Sequence, residues 1–198
     1  MFMTRRAFTL MELMVAVAIM AVIAVSIYAS FGAGIKAWHK GDESRELQKI
    51  RTALLRIQKE LRGSFFFSEA PFRGFSSSVM FPIVAAGEDK DKIYIITYYI
   101  TEDKNTGSKA LMKTKNIFTG AEWTGEEGTE EFVFFADSID FEYAYGSNDG
   151  SKGIKWKDEW GYPQEKLPLA VKINFKTDLD EGIYHKIIFI PQGALGAE

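Results

Sequence analysis

From Leu13 to Ile35 the chain runs through twenty-three residues without one charged side chain. No other feature limits its fold so strongly. As α-helix, at about 1.5 Å per residue, this stretch spans roughly 34 Å, enough to cross a bilayer core of about 30 Å. A secretory signal peptide carries a shorter apolar region and ends at a small-x-small cleavage site. Here the run is longer, and its far end, Gly32-Ala33-Gly34, matches such a site weakly. The expectation is a retained transmembrane helix over about residues 11–35. Arg5 and Arg6 precede it, and one acid, Glu12, stands at its threshold.

Beyond Lys36 the apolar residues fall at Leu47, Ile50, Leu54, Ile57 and Leu61, spaced 3, 4, 3, 4. That spacing lines one face of an amphipathic helix. Arg45, Glu46, Gln48, Lys49, Arg51, Arg56, Lys59 and Glu60 lie between them and read as a solvated set. No proline occurs from Phe8 to Arg62, which predicts one nearly continuous helix over residues 8–62. Gly32, Gly34 and Gly41 are the expected places for a bend. Two heptads are too few to argue for a coiled coil, so the stripe is read as a face packed on a domain of the same chain.

Past Arg62 the period changes from 3.6 to 2. Leu169, Val171, Ile173 and Phe175 alternate with Ala170, Lys172, Asn174 and Lys176, and Ile139 to Tyr145 alternate likewise. Such runs are strands with one buried face. Further strands are expected at Val79–Val84, Lys92–Thr101, Lys109–Lys115, Glu131–Ala136 and Gly182–Ile190, with a turn over Thr177–Glu181 closing a hairpin. The predicted fold is α+β, a long N-terminal helix packed on antiparallel β-sheet. Residues 63–198 suffice for a core without cross-links. The chain has no cysteine, which excludes a disulfide framework, a thiolate nucleophile and a Cys-based zinc site. A net charge of −3 does not suggest a nucleic-acid surface.

Glu12 has a local reading. Thr9-Leu10-Met11-Glu12 fits a capping box, with the carboxylate at the positive end of the helix dipole. The residues around it also carry a resemblance. A short basic leader (Met1 to Arg6), then Ala7, then Phe8-Thr9-Leu10-Met11-Glu12, then about twenty apolar residues resembles the N-terminus of type IV pilins and type II secretion pseudopilins. Ala7 stands where that family usually has Gly. The resemblance implies that a prepilin peptidase removes leader residues 1–7 by cutting between Ala7 and Phe8, and methylates the Phe8 amine. It implies that Glu12 pairs with the N-terminal amine of a neighbouring subunit in a filament. A buried ion pair of that kind compensates two desolvated charges and sets axial register. Lysine and arginine counts leave orientation open. The resemblance places the leader in the cytoplasm, one pass in the inner membrane, and residues 63–198 in the periplasm.

The stretch "WKDEWGYPQEKLPLAV" and the helix "LQKIRTALLRIQKELR" are similar to the J-type minor pseudopilin of type II secretion. That likeness implies a structural subunit at or near the pseudopilus tip that helps start assembly and exports folded proteins across the outer membrane. The implied partners are other minor and major pseudopilins, the prepilin peptidase and the inner-membrane assembly platform. A minor pilin of a type IV pilus or a DNA-uptake filament is the alternative. A membrane-anchored ligand-binding domain using Trp156 and Trp160 is a second, though aromatic pairs on loops more often seal a sheet.

No enzyme constellation is visible. His39 and His185 are far apart, and Phe75-Ser76-Ser77-Ser78 lacks the glycine frame of a nucleophile elbow. Gly32-Ala33-Gly34 sits in helix and is no dinucleotide loop. Asn148-Asp149-Gly150 and Asp178-Leu179-Asp180-Glu181 read as turns and do not fit the twelve-residue calcium loop. Neither a cofactor nor a metal is expected.

Overall fold

One helix, α1, runs over Leu10–Arg62, 53 residues. The computed structural model describes residues 10–84, 92–103, 107–120, 128–146, 153–161, 166–177 and 180–193. The chain stays α-helical through Gly32, Gly34 and Gly41. Glu12 lies in the first turn of α1 and Lys59 and Arg62 in the last, each with the sign its helix end favours. Gly63 and Ser64 close the helix. The Gly63 N–H donates to the Glu60 and Lys59 carbonyls at 3.0 and 3.2 Å. The buried Ser64 hydroxyl donates to the Leu61 carbonyl at 2.7 Å, so the last carbonyls of α1 keep partners.

The chain divides into two compact units, residues 1–47 and 48–198. Described by itself, the first is α-helix over its described residues 10–47 and uncharged from Leu13 to Ile35. Its described serines bond back within the helix: Ser26 Oγ donates to the Val22 carbonyl at 2.9 Å, Ser30 Oγ to the Ser26 carbonyl at 2.8 Å and Ser44 Oγ to the Lys40 carbonyl at 2.8 Å. Back-bonding of this sort lets serine sit in a helix with no water beside it.

Among its described residues the second unit holds the end of α1 and nine strands in two antiparallel sheets. The first sheet takes β1 (Arg73–Phe75), β2 (Ser78–Val84), β3 (Ile93–Glu102), β4 (Lys109–Ile117) and β5 (Thr129–Ala136) in chain order. The second takes β6 (Ser138–Tyr145), β7 (Lys155–Lys157), β8 (Ala170–Thr177) and β9 (Asp180–Phe189) in the order β7-β6-β8-β9. The expected antiparallel β-sheet is divided into two sheets. Pro82 is tolerated inside β2 because β1 pairs only as far as Met80, so Pro82 has a neighbour on the β3 side alone. A bulge in the β4–β5 pairing falls between Leu111 and Met112.

One core joins these parts. Ile57 and Leu61 of α1 are buried with Phe81 and Ile96 of the first sheet and Phe141, Tyr143 and Ile173 of the second. Burying each such side chain contributes about 1.5–3 kcal/mol. The two sheets are also clasped by backbone. Gly74 N–H donates to the Trp160 carbonyl at 2.7 Å, and Trp160 N–H donates back to the Gly74 carbonyl at 2.8 Å.

Three expectations need correction. Lys155–Lys157 of "WKDEWGYPQEKLPLAV" is a strand rather than loop, while buried Trp160 agrees with the expectation that these aromatics pack on the sheet. The alternation rule misses a three-residue strand because three residues hold no full period. The turn over Thr177–Glu181 is shorter, since Thr177 pairs with Asp180 and residues 178–179 lie outside the described set. Glu60 does not belong to a solvated set: only 15% of its side chain is exposed, because β3 and β4 supply partners for it.

Candidate functional site

Along Leu10–Trp38 the helix is apolar on every side, long enough to span a bilayer, and none of that segment is covered by the chain itself. Leu10 is 78% exposed and Tyr28 84%. A surface of that size facing water is costly, at about 25 cal/mol per Å², so its proper surroundings are lipid or other helices. Glu12 sits at the start of this segment, on its first helical turn. Ala7, Phe8 and Thr9, and with them the expected cut and the capping box, lie outside the described residues.

This N-terminus has a name. Residues 2–28 match the prokaryotic N-terminal methylation motif. The methylation motif belongs to the type IV pilin and pseudopilin class, whose members are structural rather than enzymatic. It implies processing by a prepilin peptidase and assembly into pilin-type filaments. Together with the apolar helix it points to a membrane-anchored protein. No curated protein matches the chain. The order of elements, a long helix followed by antiparallel sheets, is consistent with a pilin-like fold.

Past the motif, the stripe residues separate. Ile50, Ile57 and Leu61 are 7%, 1% and 0% exposed, and Leu54 is half-buried against the core. Leu47 is 43% exposed and falls before Gln48, where the second unit begins. The packed face therefore starts at Ile50.

Beside that face stands a polar cluster that the apolar spacing did not reveal. Lys113 Nζ, 4% exposed, lies 2.5 Å from Glu60 Oε1. The Tyr98 hydroxyl donates to Glu60 Oε2 at 2.6 Å. Arg56 reaches Glu60 at 3.6 Å and donates to Glu131 Oε1 of β5 at 2.5 Å. Burial first, and then the Glu60 carboxylate, push the Tyr98 phenol well above its ordinary value. Burial does the same to Tyr143. The cluster fastens the end of α1 to three strands by charge and hydrogen bond. The signal for it was present: the alternation that buries Leu111 in β4 also carries Lys113 inward.

The remaining candidates resolve individually. Trp160 is 4% exposed, its indole N–H donates to the Lys166 carbonyl at 2.9 Å, and its ring lies against Tyr145. It has no face to offer a sugar. Trp156 is half-buried beneath the Lys172 ammonium, 4.7 Å from the ring centre. His185 Nδ1 lies 2.7 Å from Asn174 Oδ1, and Asn174 Nδ2 donates to Asp140 Oδ2 at 2.6 Å. Among the described residues no group of three His, Asp or Glu is placed to hold a metal. Residues 148–150 lie outside the described set, and the His39 side chain is not described.

Proposed function

We propose that this chain is a minor pseudopilin of a type II secretion system, of the J type, working at or near the pseudopilus tip. There it would help start assembly and support export of folded proteins across the outer membrane. The observation that carries the reading is the methylation motif over residues 2–28 leading directly into an apolar helix. The tryptophan-bearing segment before β8 and the helix segment Leu47 to Arg62 support the J type.

In this reading the peptidase cuts between Ala7 and Phe8, leaves residues 1–7 in the cytoplasm, and methylates the new amine. Residues 63–198 then face the periplasm. Filament formation moves the apolar helix from lipid into a dry bundle. An ammonium and a carboxylate entering that bundle alone would each lose several kcal/mol, so the Phe8 amine of one subunit and Glu12 of its neighbour favour the one axial offset at which they meet. Other pseudopilins, major and minor, and the inner-membrane assembly platform are the partners.

The test is genetic. Deleting the gene should stop export of folded proteins and leave surface pili in place. Loss of pili or of DNA uptake with secretion intact would make the chain a type IV minor pilin instead.

A further inference from the structure

α1 is unbroken from Leu10 through Lys40, so its rise converts sequence spacing into distance. Along the axis Glu12 stands about 24 Å from Tyr28, about 36 Å from Lys36 and about 39 Å from Trp38. A bilayer has a hydrocarbon core of about 30 Å and measures about 40–45 Å with its headgroups. Two aromatic side chains with a polar tip compete to mark the boundary remote from Glu12: Tyr28, 84% exposed, and Trp38, 72% exposed.

The lengths decide between them. With Tyr28 at the boundary the span is too short: Glu12 is drawn about 6 Å into hydrocarbon, and the exposed Phe31 and Ile35 are left in water. With Trp38 at the boundary, Glu12 and Trp38 fall in opposite headgroup layers. The uncharged stretch from Leu13 to Ile35, about 34 Å, then fits the core at a tilt of roughly 30°, within the range such helices adopt. One hydroxyl, that of Tyr28, lies in the core as a result, a smaller cost than a carboxylate there.

The charges agree with that register. Lys36 and Lys40, the first charged residues after the uncharged stretch, are both basic and exposed, and one turn apart they share a helix face. Trp38 lies on the other side of the helix, about 200° round from Lys36. Lysine stems lie along apolar surface while their ammonium groups reach the phosphate level. The next acid, Asp42, enters only about 9 Å beyond Lys36.

We propose that Lys36, Trp38 and Lys40 form a headgroup anchor that binds the phosphates of anionic phospholipids at the end of the span remote from Glu12. The two ammonium groups hold lipid phosphates on one face, and the Trp38 indole sits at the same level on the other. The anchor fixes the depth of α1 in the bilayer, and it is a contact the chain gives up when the helix leaves lipid. It rests on the membrane-spanning reading of α1 and not on the secretion assignment.

The chain has no cysteine, so a single cysteine carries a label to one place. The full chain with Ala29→Cys or Ala37→Cys is spin-labelled and reconstituted in vesicles of phosphatidylethanolamine and phosphatidylglycerol. Collisions with oxygen and with a water-soluble nickel chelate report the depth of each label. The label at 37 should lie within about 5 Å of the phosphate plane, and the label at 29 roughly 10 Å deeper. A bimane at 37 should be quenched about two- to fivefold more by phosphatidylglycerol brominated near the headgroup than by phosphatidylcholine brominated at the same place. Lys36→Gln with Lys40→Gln should abolish that preference. An alkaline wash of the vesicles separates the two readings. If the chain stays with the lipid while the label at 29 lies at the phosphates and that at 37 in water, the anchor is overturned and the span stands. Equal quenching by the two lipids also overturns the anchor. Release of the chain by the wash overturns both.

Discussion

Gly74 and Tyr143 occupy one space: a Cβ built on Gly74 would stand 2.2 Å from the Tyr143 Cζ. Gly74 is the β1 residue that exchanges backbone hydrogen bonds with Trp160, and Tyr143 is a fully buried residue of β6. The Tyr143 hydroxyl is shared between the carbonyls of Phe75 and Ser78, both at 3.0 Å. The two sheets approach closely here because one side chain is missing and the other fills its place.

Gly74→Ala should therefore destabilise the second unit by about 1–3 kcal/mol, the usual cost of overpacking a core that cannot yield. Gly153→Ala, at a site with nothing within 4 Å, should cost much less. Denaturant midpoints of the two variants, read by tryptophan fluorescence, decide it. Equal midpoints would show that the Tyr143 ring moves aside.

The Glu60 cluster predicts non-additivity. Lys113→Met leaves the Glu60 carboxylate with Tyr98 and the more distant Arg56, and should cost about 3–5 kcal/mol. Adding Glu60→Leu removes the stranded charge and should restore a good part of that loss. A double-mutant cycle in which the two costs simply add would argue that the pair stabilises nothing.

Tyr98 and Tyr143 have folded-state pKa values raised above their ordinary value of 10.0, chiefly by burial. A group with a raised folded pKa contributes stability fully below its unfolded pKa, and that contribution falls as pH rises above it. Stability from these two phenols is thus intact to about pH 10 and declines beyond it. Tyrosinate absorbance should show two phenols that ionise only as the protein unfolds, and Tyr98→Phe with Tyr143→Phe should weaken the alkaline loss. Free titration of every tyrosine in the folded protein would contradict this.

At the N-terminus, processing and assembly should come apart. Glu12→Gln leaves the proposed cut between Ala7 and Phe8 unchanged, so intact mass from membranes should still show a chain that begins with N-methylated Phe8. Incorporation into filaments should fall by about tenfold or more, since the Phe8 ammonium loses a charged partner in the dry bundle. An unprocessed wild-type chain, or a Glu12→Gln variant that assembles normally, would remove the basis of the proposed register device.

How much of this was readable in advance follows from the range of each interaction. The uncharged run from Leu13 to Ile35, the helical stripe beyond it, the alternation in β6 and β8 and the methylation motif are patterns within short stretches of chain, so the amino-acid order alone determined helix, strands and motif. Steric repeat and hydrophobic transfer act locally, and they leave a period that can be counted. Tertiary structure alone decided the split into two sheets, the clasp of Gly74 with Trp160, the burial of Lys113 against Glu60 and the exposed edge of β9. Each of these joins residues distant in sequence, or depends on which strand ends a sheet. The β4 alternation marks Lys113 as inward-facing, but no period names its partner, because a hydrogen bond or an ion pair across a core is set by where the backbone travels between its ends.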